Sequence, residues 1–203
     1  MPLELPPGLH GNERQVEYRW VLSKLEPNTS VLDVGTVAPP IMSGYPEFVF
    51  HVTRRLGCRY VTLDTMPGAN ILADIREVEL PDQSFDQVVC ISTLEHITIR
   101  PADALKNMVR IGRRVLVTMP FGLDHEMPWG FNYGLDRFED LITKTGLGVA
   151  SLVEFFKIAE TEFYRHGLQG WESCPFQDLR STPYWASGSD GASGIVCFEV
   201  KHA

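Results

Sequence analysis

The sequence predicts a doubly wound α/β fold with a mainly parallel sheet, and three observations carry that expectation. Short apolar runs of strand length alternate with stretches of helical periodicity. Several of the runs end on a glycine or a carboxylate, as VLDVG and VTLD do. The last two runs have no clear helical pattern between them and imply an antiparallel hairpin at the sheet edge. Strand–helix alternation requires crossovers that cover both faces of the sheet, and right-handed crossovers make the fold doubly wound.

The elements follow in order. Residues 1–11 are rich in Pro and Gly and read as a loose N-terminal arm. Residues 12–25 carry Val16, Tyr18, Trp20, Val21 and Leu25 and read as an amphipathic helix. Pro27 to Thr29 forms a turn into a buried strand at 30–35. A helix at 48–56 is stopped by Gly57, and a second strand spans 59–64. A brief strand is expected at 69–73 and a strongly apolar one at 85–92. The helix at 101–111 starts on Pro101, where a missing N–H costs least, and Gly112 closes it. Then come a strand at 115–119, a helix at 135–145 stopped by Gly146, a strand at 149–160 and a last strand at 194–201.

At 203 residues, one domain spanning 1–203 is the expectation. Residues 161–193 form an aromatic-rich insertion before the last strand, with Phe163, Tyr164, Trp171, Phe176, Tyr184 and Trp185. That group suits a lid, a homodimer surface or a satellite core. Hydrophobic residues make up 44% and charged residues 22%, ordinary for a globular protein. The formal net charge of −8 argues against nucleic acid as a partner, since phosphates call for a basic face. No apolar run reaches the ~20 residues that cross a bilayer, so no membrane partner is expected. MPLELPPGLHGNER lacks the basic and apolar regions of a secretory signal, and a cytoplasmic location is expected. Cys58, Cys90, Cys174 and Cys197 form no CxxC pair and read as free thiols of a reducing compartment. Glu95, His96, His125 and Glu126 are too scattered to make a metal constellation.

In open α/β sheets, ligands bind outside the carboxyl ends of the strands where the strand order reverses. The residues just after each strand therefore carry the chemistry. Gly35 ends the first strand and lets a ligand approach the backbone. Asp33 can accept from a ligand ammonium, though capping of the turn is the plainer reading of that segment alone. Asp64 ends the second strand, where a carboxylate can accept both hydroxyls of an adenosine ribose; a surface turn Asp is the alternative. Asp74 can accept an adenine amino group while Ile75 helps cover the ring, or it is one more loop acid. The strand at 85–92 delivers Ser92, Thr93, Glu95 and His96 to the same edge.

Taken as an ordered set, VLDVG, VTLD, LADI, PDQSFDQVVCISTLEHI and RVLVTMPFG resemble the successive motifs of the class I S-adenosylmethionine-dependent methyltransferases. The likeness covers roughly residues 12–147 and is nearest the small-molecule, methyltransferase type 11-like branch. It implies a Rossmann-like, seven-stranded sheet with an antiparallel last strand, and S-adenosyl-L-methionine as cofactor. It implies Gly35 and its loop at the methionine part, Asp64 on the ribose, and Asp74 with Ile75 near adenine. Ser92, Thr93 and Leu94 would line the other side. The loop Gly35-Thr36-Val37-Ala38-Pro39-Pro40 departs from the family by keeping only its first glycine. A catalytically inactive, methyltransferase-like binding or scaffold protein is the alternative that this loop leaves open. In similar enzymes the segment before strand one folds over the cofactor. Arg14 would there meet its carboxylate, or else form an exposed i,i+3 ion pair with Glu17.

The expected acceptor is a small molecule, methylated on oxygen or nitrogen, such as a sugar or natural-product intermediate. A base is needed only where the nucleophile must lose a proton. The candidates are His96, His125 and Glu126, with Tyr133 beside them. His125 and Glu126 sit in the segment after strand five with Phe121, Trp129 and Phe131, a mix that suits a small-molecule pocket. His96 also reads as a helix-start histidine that holds backbone, and His125 as a solvated loop residue.

Overall fold

Side chains on a strand alternate between the two faces of its sheet, and the central strands here are apolar on both. In β1 (Ser30–Val34), Val31 faces one core while Leu32 and Val34 face the other. In β4 (Phe85–Ile91), Val88 and Cys90 face the second core and Val89 and Ile91 the first. Such strands are stable only when layered on both sides, and the helices supply the layers. The computed structural model describes residues 14–36, 45–121, 125–127, 130–147, 152–158, 171–174 and 194–201. The expected arm at 1–11 and the expected insertion, apart from 171–174, lie outside the described residues.

The chain runs through α1 (Arg14–Lys24), β1, α2 (Tyr45–Phe50) with a π-helical turn at His51–Arg55, and β2 (Arg59–Asp64). It continues through β3 (Ile71–Leu72), β4, a 3-10 turn at Leu94–His96, α3 (Pro101–Ile111) and β5 (Gly112–Phe121). A small antiparallel hairpin follows, β6 (His125–Met127) and β7 (Gly130–Asn132). Then come α4 (Leu135–Thr145), β8 (Leu152–Ile158), β9 (Trp171–Cys174) and β10 (Gly194–Lys201).

The main sheet has the order β3-β2-β1-β4-β5-β10-β8-β9. The first five strands are mutually parallel; β10 is antiparallel to β5 and β8, and β9 is antiparallel to β8. The doubly wound class holds, with three differences from the expectation. The described sheet has eight strands rather than seven, because β9, from within the expected insertion, adds to the edge beside β8. The two late strands do pair as antiparallel neighbours, but β10 inserts between β5 and β8 and so lies inside the sheet. The segment after β5, read as a loop, contains the β6–β7 hairpin.

Helices α3 and α4 cover the face of Leu32, Val88, Val117 and Phe198. The opposite face, with Val31, Val89, Leu116 and Cys197, lies under α1 and α2. Tyr18 stacks on Phe48 at 4.8 Å between ring centroids and ties α1 to α2. Helix α1 is more enclosed than an amphipathic surface helix: Val16, Glu17, Tyr18, Trp20, Val21 and Leu22 are all buried. Leu105 of α3 is fully buried in the larger core. Leu105→Ala is expected to cost about 2–5 kcal/mol, read as a lower urea midpoint with an unchanged denaturant slope.

Candidate active site

The chain leaves β1 for β2 and β3 on one side, then returns to β4 on the other, so the strand order reverses between β1 and β4. In the parallel register Val34 stands opposite both Leu63 and Cys90. The tips of three strands are therefore level, and a cavity of about 470 Å³ opens at them. Arg14, Gly35, Asp64, Asp74, Ile75, Ser92, Thr93 and His96 all line it. Eight residues singled out from the sequence thus meet in one place, although they come from five separate stretches of chain.

Gly35 holds φ at +80°, and its N–H donates to the Leu63 carbonyl at 2.8 Å. A Cβ at this position would lie 2.0 Å from Thr93 Cγ2, so the crossing of the two loops admits only glycine. The Thr93 hydroxyl lies within hydrogen-bond reach of the carbonyls of Gly35 (3.2 Å) and Ile91 (3.1 Å). Asp64 accepts the Met66 N–H at 2.9 Å, which fixes its carboxylate at the tip of β2.

Asp74 differs from the expectation in its company. Arg76, which the sequence reading passed over, grips it through Nε at 3.0 and 3.1 Å and through Nη2 at 2.5 Å. The Arg76 hydrogen bonds hold the Asp74 carboxyl below its ordinary range. Arg76 also donates to the Ile99 carbonyl at 2.8 Å, and both residues line the cavity. The i,i+2 spacing of Asp74 and Arg76 was the available signal.

Two of the expected residues lie behind the cavity wall. Leu94 is fully buried in the core. Asp33 is 2% exposed and accepts the Tyr60 hydroxyl, which in turn lies 3.1 Å from the Tyr45 hydroxyl. Asp33 borders a second, 30 Å³ cavity with Tyr18, Thr36 and Tyr45; Arg14 and Gly35 line both cavities. Burial pushes the Asp33 carboxyl up to about 7, against the opposing pull of Tyr60 and Arg14.

Arg14 forms the i,i+3 ion pair with Glu17 at 2.8 Å, and the pair is buried rather than exposed. Glu17, fully buried, also accepts the hydroxyls of Ser92 at 2.5 Å and Thr118 at 2.8 Å. Ser92 holds φ at +41°, and its N–H donates to the Thr118 carbonyl at 2.9 Å. Thr118 was not foreseen; a hydroxyl inside the apolar run VLVTMPF was its only mark.

His96 is about half exposed, with Nε2 3.8 Å from the Glu95 carboxylate. The β6–β7 hairpin leans on this turn: a Cβ on Gly130 would lie 2.5 Å from the Glu95 carbonyl oxygen and 3.2 Å from His96 Nδ1. Glu126 is exposed on β6 and does not line the cavity. His125 belongs to β6 by backbone, and its side chain lies outside the described residues. Among the described residues no group of three or more His, Cys, Asp or Glu is placed to hold a metal ion. No described helix is long and apolar enough to cross a membrane.

Sheet order, crossovers and cavity position together define the class I methyltransferase type of fold. A family model described as a methyltransferase domain matches residues 44–114. No curated protein matches the chain by sequence. Among solved structures it is similar to phosphoethanolamine N-methyltransferase 2 of Haemonchus contortus in complex with S-adenosyl-L-methionine, at 16% identity and a TM-score of 0.58. That match covers 96% of this chain and 54% of the other, so the chain spans about half of that protein's length. It is similar to the partner of the Trm112 methyltransferase activator in a Haloferax volcanii complex, at 14% identity, TM-score 0.58 and coverage of 94% and 92%. It is also similar to the [4+2]-cyclase SpnF, at 13% identity, TM-score 0.56 and coverage of 98% and 88%. The matched segment is thus a methyltransferase domain, and the fold of the whole described sheet is the Rossmann-like fold of those solved structures.

The buried Asp33 makes stability depend on pH. Its folded value of about 7 lies above the ordinary 3.8, so the native state binds the extra proton between these limits. Stability is then full below about pH 4 as far as this group is concerned, and falls as pH rises to about 7, by up to roughly 4 kcal/mol. Asp33→Asn keeps an acceptor for Tyr60 and removes the charge. Across pH 4–8, the wild-type Tm should fall relative to that of the variant up to about pH 7 and run parallel to it above. Parallel curves throughout the range would show that Asp33 does not carry this proton.

Proposed function

We propose that the chain is a methyltransferase that passes the methyl group of S-adenosyl-L-methionine to an oxygen or nitrogen of a small metabolite. The fold alone does not decide this, since a cyclase shares it. The observation that carries the reading is the Asp64 carboxylate at the tip of β2, on the same cavity as Gly35, Ser92 and Thr93 at the switch point. At about 470 Å³ the cavity falls in the range of small-molecule sites.

The donor set matches the cofactor part by part. An ionised carboxylate only accepts, which suits Asp64 to the two ribose hydroxyls. Asp74 carries about four lone-pair sites, so its bond to Arg76 leaves capacity for an adenine amino group beside Ile75. The amino-acid end is a zwitterion, and the cavity also offers a cation, Arg14, which shares a second, smaller cavity with the carboxyl of Asp33. An arriving ammonium would favour the ionised form of Asp33 that burial opposes.

The cofactor supplies an electrophilic methyl group on a sulfonium, and alignment is then the main task of the protein. His96 lines the same cavity, half exposed with Glu95 beside it, which supports its reading as the group that takes a proton from an acceptor that must lose one. The β6–β7 hairpin, which carries His125 and Glu126, packs on the turn that bears His96, and this supports an acceptor side there. A net charge of −8 favours a small acceptor over nucleic acid. We place the protein in the cytoplasm, as one methyltransferase domain whose 161–193 segment serves as a lid or a homodimer surface.

Titration calorimetry tests this directly. Wild-type protein should bind both S-adenosylmethionine and S-adenosylhomocysteine, and Asp64→Ala should weaken both at least about tenfold, the loss expected for hydrogen bonds to a charged acceptor. No binding by the wild type at millimolar ligand would overturn the proposal in favour of a scaffold that has lost its cofactor.

A further inference from the structure

We infer that Glu17 is a positioning residue that makes the cavity selective for ligands with a carboxylate-bearing tail. The inference rests on reading the cavity as the S-adenosylmethionine site. Glu17 does not line the cavity at the strand tips, yet its carboxylate holds Arg14 and Ser92, which do. One oxygen accepts from Arg14 Nη1 at 2.8 Å, and the other from Ser92 Oγ at 2.5 Å and Thr118 Oγ1 at 2.8 Å. Arg14 and Ser92 line the large cavity; Glu17 and Thr118 do not.

The cluster joins three parts of the fold that sequence alone leaves independent. Glu17 and Ser92 are 75 residues apart, and Glu17 and Thr118 are 101 apart. Thr118 stands opposite Ile91 in the β4–β5 register, so the carboxylate is referenced to the sheet itself. Ser92, at φ +41°, is held by both its side chain and its N–H.

Stability does not account for such an arrangement. Taking a carboxylate fully out of water is costly even when it is paired, and an apolar residue of similar volume commonly serves as well or better. What the charge supplies is direction. Arginine has a long side chain with many rotamers, and at the first turn of α1 it would sweep a wide arc. Anchored on Glu17, its guanidinium is preorganised before ligand arrives, and a ligand carboxylate meets donors already aimed.

The experiment compares two ligands in one protein. S-adenosylhomocysteine has the amino-acid tail; 5′-deoxy-5′-methylthioadenosine has the same nucleoside and thioether without it. Wild type should favour the first, and Glu17→Gln should shrink that preference by about tenfold while leaving methylthioadenosine affinity nearly unchanged, the size expected for loss of an aligned charge-assisted contact. Arg14→Met should shrink it similarly, and the double variant should lose no more than either single one. If Glu17→Gln does not fold, Glu17→Asp carries the same test, because it keeps the charge and withdraws its reach. A purely structural role would weaken both ligands in proportion and leave the preference intact, which overturns the inference. A preference that rises would show Glu17 acting only as a counter-charge to Arg14, and overturns it too. A wild type that binds both ligands equally overturns the tail selectivity and leaves the nucleoside site standing, whereas one that binds neither removes the cofactor reading and this inference with it.

Discussion

The pairing register of β2, β1 and β4 is the constraint on which the rest depends. Val34 stands opposite Leu63 and Cys90, so the chain turns out of three neighbouring strands at one height. A slip of one residue would exchange the faces of every side chain on the strand. Asp33 would then enter the apolar layer under α3, and Leu32 and Val34 would face Tyr60. The two cores on either side of the sheet therefore fix the register, and the register fixes the mouth of the cavity. Gly35 completes the arrangement, because only a residue without Cβ lets the β1 loop cross Thr93.

The two faces of the sheet are held in different ways. Under α3 and α4 the layer is apolar, held by packing rather than by directed bonds. Under α1 it includes Asp33, Gln87, Arg114, Thr118 and Glu199, each with a partner of fixed direction. Gln87 bonds both the N–H and the carbonyl of Glu26, and Arg114 joins Glu199 at 2.7 Å and the Lys24 carbonyl. Glu17 binds Ser92 and Thr118 at the other end of the helix. Hydrogen bonds at both ends set the position of α1 along the sheet, which hydrophobic burial does not specify. That matters because Arg14 leads this helix into the cavity.

The same contrast decides what could be read from sequence. Strand cores and strand tips are local features: a run such as FDQVVCI announces its own burial, and the residue after it is placed by the fold class. Asp64, Asp74, Ser92 and Thr93 could therefore be expected at one mouth before any coordinates. Features that depend on a distant partner were hidden. Glu17 reads as half of an exposed ion pair until Ser92 and Thr118, far along the chain, are brought over it. The enclosure of α1 was missed for the same reason, since its polar residues look solvent-facing without the polar layer beneath. β9 lies within a stretch whose aromatic residues carry no clean period, and its strand pairing is with β8, a partner that its own residues do not announce. The β6–β7 hairpin needs Gly130 to close on Glu95, a contact that no neighbouring residue foretells.

This division also bears on the missing glycines of the first loop. A dinucleotide site needs several, because its pyrophosphate is held by backbone N–H groups at close range. A sulfonium zwitterion carries no phosphate and asks instead for a carboxylate near its ammonium, a cation near its carboxylate and an acceptor for its ribose. On the proposed reading, Asp33, Arg14 and Asp64 answer those needs with side chains placed by the sheet and by α1. One close backbone approach remains, and it falls at Gly35, where Thr93 already excludes any Cβ. A site that recognises its ligand through side chains on rigid elements has less need of a glycine-rich loop, so the proline-bearing stretch after Gly35 is not by itself a sign of lost function.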